Sequence, residues 1–327
     1  MTKESCQPTG RHQGRFGSTS HIVMAPERLD GPGNDWKILF LRALASVLRL
    51  PWARGRVTIS ELFYRLLTPK RSVVEMRVND LPVFVDLSQQ EARYIFFGAF
   101  ERNEVRFMRR WVKSGNIAVD VGANIGYLSA ILAGAVGPNG KVYAFEPNPV
   151  VFPHLSNLAE ASRGAIEAVC SAVTDQTDND LTHFYVSADH SMWSSTMAEC
   201  AGSSAGKIDV PAISLSDFFR QKSISKVDFI KIDVEGGEVG VLRGLHQFLM
   251  AGERPTIMCE VAAGVAALRA HSCAAVERLL LDFEYRAFLI VNGGRLIPTS
   301  LKEIERQAVT ANLVLLAASV RYDHAQH

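Results

Sequence analysis

Ile117-Ala-Val-Asp-Val-Gly-Ala-Asn-Ile-Gly-Tyr127 is the stretch that decides the fold. Its first five residues are apolar apart from Asp120, as expected of a buried strand. Gly122 then opens a turn, and a helix starts near Gly126. Glu146 stands twenty-four residues after Gly122, at the end of the strand-like Lys141-Val-Tyr-Ala-Phe145. A glycine turn after one strand and an acid at the tip of the next is the layout of a nucleotide-binding α/β fold. The glycines let backbone approach a ligand. The carboxylate can accept both hydrogen bonds of a ribose diol.

The glycine spacing selects the nucleotide. A dinucleotide fingerprint is G-x-G-x-x-G, whose second glycine admits a pyrophosphate. Here the turn is D-x-G-x-x-x-G, and Asn124 holds the place of that second glycine. Asp120 would repel a pyrophosphate and welcome a cationic amino group. This suits S-adenosylmethionine (SAM), which carries an ammonium, a sulfonium and a ribose diol but no phosphate. The competing readings are an empty Rossmann-type turn or a turn for NAD.

Composition sets outer bounds. The 327 residues allow one large domain with extensions, or two small domains. An apolar fraction of 47% is enough for a real core. A net charge of +1 gives no electrostatic reason to expect a nucleic-acid partner. The five cysteines lack C-x-x-C or zinc spacing. Cys170 and Cys259 lie in apolar runs and read as buried, reduced thiols of a cytoplasmic protein. The first 35 residues lack the apolar core of a signal peptide, and no run approaches the roughly 18–20 apolar residues of a membrane span.

Residues 1–34 are rich in Gly, Ser, Pro and Arg without periodicity and read as disordered. Residues 35–110 form an extension of a helix plus a β-hairpin, and 111–322 the main domain. Trp36 to Trp52 has helical spacing of Phe40, Leu44, Val47 and Leu48. It reads as a helix docked on the main domain, or as an interfacial helix touching a membrane through 36–52, given its terminal tryptophans and basic residues. Val73–Val78 and Leu81–Asp86 flank Asn79-Asp80 and predict the hairpin. A helix is expected over Asn103–Lys113. Strands are expected at Ile117–Val121, Lys141–Phe145, Ile166–Ala172, Phe229–Asp233, Thr256–Val261, Ala287–Val291 and Asn312–Ala317. Helices are expected at about 126–134, 149–162, 215–221, 237–249 and 265–282. This order predicts a doubly wound, mostly parallel, seven-stranded sheet. Residues 175–210 read as an insertion that forms substrate loops.

Phe229-Ile-Lys-Ile-Asp-Val-Glu-Gly-Gly-Glu238 is the second signal. A central parallel strand should be apolar on both faces, yet Lys231 and Asp233 share one face. Glu235 would continue that face if the strand persisted. Glu260, in Ile257-Met-Cys-Glu-Val261, would reach the same edge from another strand. Buried charges must be paired or used. Asp233 and Glu235 are therefore candidate bases, with His190 in the insertion a third. Ser191, Trp193 and Ser194 could line an acceptor pocket. The carboxylates could also hold a divalent metal, but no histidine or further acid makes the spacing diagnostic, and no metal is assigned.

Together these residues resemble the FkbM family of SAM-dependent methyltransferases. The resemblance rests on Asp120-Val-Gly-Ala-Asn-Ile-Gly126, Ala144-Phe-Glu-Pro-Asn148, Lys231-Ile-Asp-Val-Glu-Gly-Gly-Glu238 and the Glu260 strand, and covers roughly residues 98–317. One departure is Ser216 before Asp217, where the family usually has Leu-Asp. The resemblance implies a Rossmann-like class I methyltransferase fold. It implies methyl transfer to a hydroxyl of a sugar, glycolipid or other secondary metabolite. It assigns Asp120, Gly122, Asn124 and Gly126 to the methionine part of SAM, Glu146 to the ribose and Asn148 to the adenosine. Glu101 looks like the acid that closes over the methionine end. The acceptor is then a small molecule or glycan. The alternatives are N-methylation, which lacks its usual Asp/Asn-Pro-Pro-aromatic turn here, and a SAM-binding partner subunit without catalysis. Oligomeric state is left open.

Overall fold

The computed structural model describes residues 36–50, 55–67, 72–176, 180–186, 194–196, 206–261, 273, 276–307, 311–320 and 322. Two helices come first, α1 (Trp36–Leu48) and α2 (Arg56–Leu67), then the hairpin strands β1 (Val73–Val78) and β2 (Leu81–Asp86). Asn79 and Asp80 both have positive φ, as a two-residue hairpin turn requires. Asn79 Nδ2 donates to the Ala130 carbonyl at 2.8 Å and ties the hairpin to α5 (Tyr127–Val136). Helices α3 (Gln90–Phe96) and α4 (Arg102–Trp111) lead into the sheet.

Among the described residues the central sheet has eight strands. β3 (Ile117–Val121), β4 (Lys141–Phe145) and β5 (Ile166–Val169) run parallel in that order. β9 (Phe229–Ile232) and β10 (Thr256–Val261) continue the parallel set on the other side of β3. β13 (Ala311–Ala317) pairs antiparallel between β10 and β11 (Tyr285–Val291). The seven expected strands are all present. The eighth, β12 (Arg295–Pro298), is the return of the hairpin at Asn292-Gly-Gly294.

Alternation along the strands feeds two cores, as a doubly wound sheet requires. Ala118, Ala144, Phe229 and Met258 pack with α4, α5 and α6 (Phe152–Ala161). Val119, Ile230, Ile232 and Ile257 pack on the other face with α7 (Leu215–Gln221), α8 (Glu238–Gly244) and α9 (His246–Met250). The helix expected at 237–249 is thus two short helices. The one expected at 265–282 is helical over 276–282, and most of its remainder lies outside the described residues. The last described helix is α10 (Leu301–Gln307).

Other expectations are corrected. The strand expected at Ile166–Ala172 breaks after Val169, and β6 (Ala172–Val173) leaves the sheet. It pairs parallel with β8 (Gly206–Ile213), which pairs antiparallel with β7 (Leu181–Val186). The insertion is therefore partly a small three-stranded sheet. Cys170 sits in the break and is disulfide-bonded rather than reduced, with its partner outside the described residues. Cys259 is a free, buried thiol as expected. At the Ser216 departure, Ser214 caps α7 by accepting from Asp217 N–H at 3.1 Å and donating to the Asp217 carboxylate at 2.8 Å. The retained acid therefore still does its capping work.

The extension shares the main core. Leu41, Ala45 and Leu48 of α1 are buried with α5 and the hairpin. Three arginines hold the parts of the extension to one another. Arg49 donates to the Phe96 carbonyl. Arg56 donates to the carbonyls of Leu50 at 2.5 Å and Gly98 at 3.3 Å. Arg93 grips Glu61 of α2 with two bonds of 2.8 and 3.0 Å and reaches the Leu87 and Ser88 carbonyls. Docking on the main domain is the observed state of α1. No helix among the described residues is long and apolar enough to cross a membrane.

Candidate active site

The strand order reverses at β3. β4 and β5 lie on one side of it, β9 and β10 on the other. Ligands of open α/β sheets bind at such a switch point, beyond the carboxyl ends of the strands. A cleft with about 900 Å³ of empty space lies there, and Gly122, Asn124, Glu146, Asp233 and Glu235 line it. Phe100 and Tyr127, in edge-to-face contact at 6.0 Å, add an apolar wall.

Gly122 holds the two turns together. Its φ is +80°, and a Cβ built on it would lie 1.8 Å from the Asp233 carbonyl oxygen. Asn124 also has positive φ, and its N–H donates to Glu146 at 2.8 Å. The other Glu146 oxygen accepts from Asn148 N–H at 2.8 Å. Each oxygen keeps a second acceptor position. Burial raises the Glu146 carboxyl to about 7, against the lowering effect of those two bonds.

Some expected site residues sit behind the cleft. A Cβ on Gly126 would meet Leu158 at 2.3 Å, so this glycine serves helix packing against α6. Asn148 is buried with both amide ends engaged: Oδ1 accepts from Val150 N–H at 3.0 Å and Nδ2 donates to Ser194 at 3.2 Å. Asp120 is fully buried beneath the turn. It accepts from Ser129 at 2.5 Å and lies 3.9 Å from the Lys231 ammonium. Its Oδ1, like Glu101 Oε2, is buried without a hydrogen bond. Burial pushes Asp120 up, against Lys231 and Ser129. Glu101 begins α4 in a left-handed conformation and is raised to about 8, chiefly by burial, with Lys231 opposing and Asp233 adding. His190, Ser191 and Trp193 lie outside the described residues.

The acidic constellation converges as expected, but its members differ. Lys231 Nζ lies 2.9 Å from Asp233 Oδ2. Burial would raise Asp233, yet Lys231 and a hydrogen bond with Glu260 outweigh it and hold Asp233 below the ordinary carboxylate value. Glu260 is raised to about 10 by burial and by Asp233, so it carries the proton of that bond. Lys231 is raised, because Asp233, Asp120 and Glu101 together outweigh its burial. β9 ends at Ile232, so Glu235 does not continue a strand face. It stands instead at φ +50° in the following turn. Burial and then Asp233 raise it to about 7. Asp233, Glu235 and Glu260 each place an oxygen within 4.8 Å of the others. That spacing suits a divalent cation, though Lys231 already supplies positive charge to the set.

Residues 120–287, about half of the chain, match the model of the FkbM methyltransferase domain. The chain belongs to the FkbM methyltransferase family. This FkbM protein is a methyltransferase that uses S-adenosylmethionine. Methyltransferase sdnD of Sordaria araneosa is 30% identical over 189 residues, covering 49% of this chain and 71% of that protein. Hexuronic acid methyltransferase AglP of Haloferax volcanii is 26% identical over 168 residues, covering 50% of this chain and 64% of that protein. The 31-O-demethyl-FK506 methyltransferase FkbM of Streptomyces tacrolimicus is 29% identical over 204 residues, covering 53% of this chain and 76% of that protein.

The FkbM motifs did not reveal every group at the site. Ser195 donates to the Glu235 carbonyl at 2.7 Å, and Thr196 approaches Gly237. These residues come from a polar, aperiodic stretch whose sequence carried no such signal.

Proposed function

We propose that this enzyme methylates a hydroxyl oxygen on a sugar, glycolipid or other secondary metabolite, with Glu235 as the base. The observation that carries this is the division of labour among the carboxylates. Asp233 is bonded to Lys231 and Glu260 and is held ionised, which makes it a weak proton acceptor. Glu235 lines the same cleft and is raised to about 7. A base works best when its pKa lies near the working pH. Two relatives, a hexuronic acid methyltransferase and a 31-O-demethyl-FK506 methyltransferase, favour an oxygen acceptor.

The site fits the cofactor by charge and shape. Gly122 lines the cleft, and its close packing on the Asp233 carbonyl keeps the two turns side by side at the cleft floor. Glu101 Oε2 is a buried acceptor without a hydrogen bond, which suits an ammonium group, while Asp120 Oδ1 already faces the Lys231 ammonium at 3.9 Å. Glu146, with two acceptor positions to spare, suits a diol. In this reading Gly122 and Asn124 hold the methionine part with those acids, Glu146 the ribose, and Asn148 shapes the Glu146 loop. SAM supplies an activated methyl group. Aligning an acceptor oxygen with it contributes about 7–11 kcal/mol. Glu235 takes the hydroxyl proton as the oxygen attacks. Lys231, Asp233 and Glu260 fix the charge of the cleft floor.

The test is transfer of labelled methyl from SAM to a panel of sugars, glycolipids, polyols and matched amines, with and without a chelator. The wild type is expected to show log kcat/KM rising with slope one up to about pH 7, then a plateau. Glu235→Gln is expected to lose about 10²–10⁴-fold in kcat with SAM affinity retained. Full activity in Glu235→Gln, or labelled amines and no labelled hydroxyls, would sink the reading.

A further inference from the structure

Eight of the thirteen exposed large apolar side chains among the described residues lie between Trp36 and Leu66, so apolar exposure is concentrated on α1 and α2. Trp36, Leu39, Phe40, Val47 and Leu50 are 41–61% exposed. At 100° per residue the four on α1, Trp36, Leu39, Phe40 and Val47, fall within one 100° stripe, opposite Leu41, Ala45 and Leu48, which face the core. The helix is thus apolar on two faces, and only one is used by the fold. Leu62 and Leu66 of α2 are exposed as well, and the Phe40–Phe63 ring contact at 5.6 Å joins the two helices.

Charge selects the occupant. Residues 36–67 carry Lys37, Arg42, Arg49, Arg54, Arg56 and Arg65 against Glu61 alone, in a chain of net charge +1. The remainder of the chain is therefore net acidic. On α1 the outer stripe is bordered by Lys37 on one side and Arg42 on the other. An apolar face rimmed by basic residues, with a terminal tryptophan, is the pattern of a helix lying in a lipid headgroup layer. A second copy of the chain would bring two basic rims together.

We infer that α1 and α2 dock the protein on an anionic membrane surface through Trp36, Leu39, Phe40, Val47, Leu62 and Leu66. Arg49 and Arg56 hold the Phe96 and Gly98 carbonyls, and Ile95 and Phe100 line the cleft. The docked helices and the cleft therefore share the segment 95–100. Docking brings the cleft to the lipid surface and favours an acceptor carried on a lipid. That consequence rests on the methyltransferase reading, whereas the docking itself does not.

The experiment is flotation of the full chain with vesicles of phosphatidylcholine alone, or of phosphatidylcholine and phosphatidylglycerol in equal parts. Flotation with the anionic vesicles is expected, weakened by salt. Trp36→Ser/Leu39→Ser is expected to reduce it about tenfold or more. Leu62→Ser/Leu66→Ser, on the other helix, should weaken it in the same direction. Both variants should keep the wild-type melting midpoint and SAM affinity. Absence of flotation, or flotation unchanged in both variants, overturns the proposal. So does a wild-type dimer in sedimentation velocity that the variants convert to monomer.

Discussion

Gly122 shows how much a single position can carry. Its φ of +80° and the Asp233 carbonyl beside it leave no space for a side chain. A left-handed conformation costs an L-residue about 1–2 kcal/mol, and forcing atoms into a packed turn about 1–3 kcal/mol more. Gly122→Ala is therefore expected to destabilise the protein by about 2–5 kcal/mol and to lower the melting midpoint by roughly 3–7 °C. It should also abolish SAM binding in calorimetry. An unchanged midpoint would mean that the two turns can move apart. At this scale the motif residues Asp120, Gly122 and Glu146 were legible from their spacing. Glu235 was found for an incomplete reason, because strand periodicity placed it on a face that ends three residues earlier. Its backbone turns left-handed, and that turn brings it to the cleft.

At the scale of elements, α2 is held by one arginine more than by its own apolar face. Arg93 binds Glu61 twice, reaches two carbonyls, and lies over the Tyr64 ring at 4.6 Å. Arg93→Ala would leave Glu61 and both carbonyls without this donor. Hydrogen bonds to charged groups contribute about 1.5–3 kcal/mol. The substitution is expected to open α2 by about 2 kcal/mol, which raises amide exchange over Arg56–Leu67 about 30-fold. Exchange in β3 and β9 should not change. Equal protection of α2 in both proteins would show that apolar packing alone holds it. The amphipathic pattern of α1 was readable in the sequence. Its docking partners were not, because Phe96 and Gly98 lie far along the chain and no local pattern points to them.

At the scale of the whole molecule, the site stores protons. Burial raises Glu101 to about 8, Glu146 and Glu235 to about 7, and Glu260 to about 10. In the unfolded chain these carboxyls titrate near 4.5. Between about pH 5 and pH 8 the folded state therefore binds more protons than the unfolded state, and stability falls as pH rises. His154, lowered by burial, opposes this only below its ordinary value of 6.5. The melting midpoint of the ligand-free protein is expected to drop by several degrees from about pH 6 to about pH 8. A midpoint that rises over this window would contradict the raised carboxyls.

The chain alone was enough for the alternation of strands and helices, the glycine turn and the family. Each is written in a few neighbouring residues, through apolar period, obligatory positive φ and fixed spacing. It also placed Lys231, Asp233, Glu235 and Glu260 at one sheet edge. How those four share charge was set by the packed fold. Lys231 is paired, Asp233 stays ionised, Glu260 keeps a proton, and Glu235 titrates near neutrality. That partition depends on burial and on ångström distances between β9, β10 and the turn beyond them. Local sequence does not encode such distances, because they arise when the packed sheet brings the ends of its strands together.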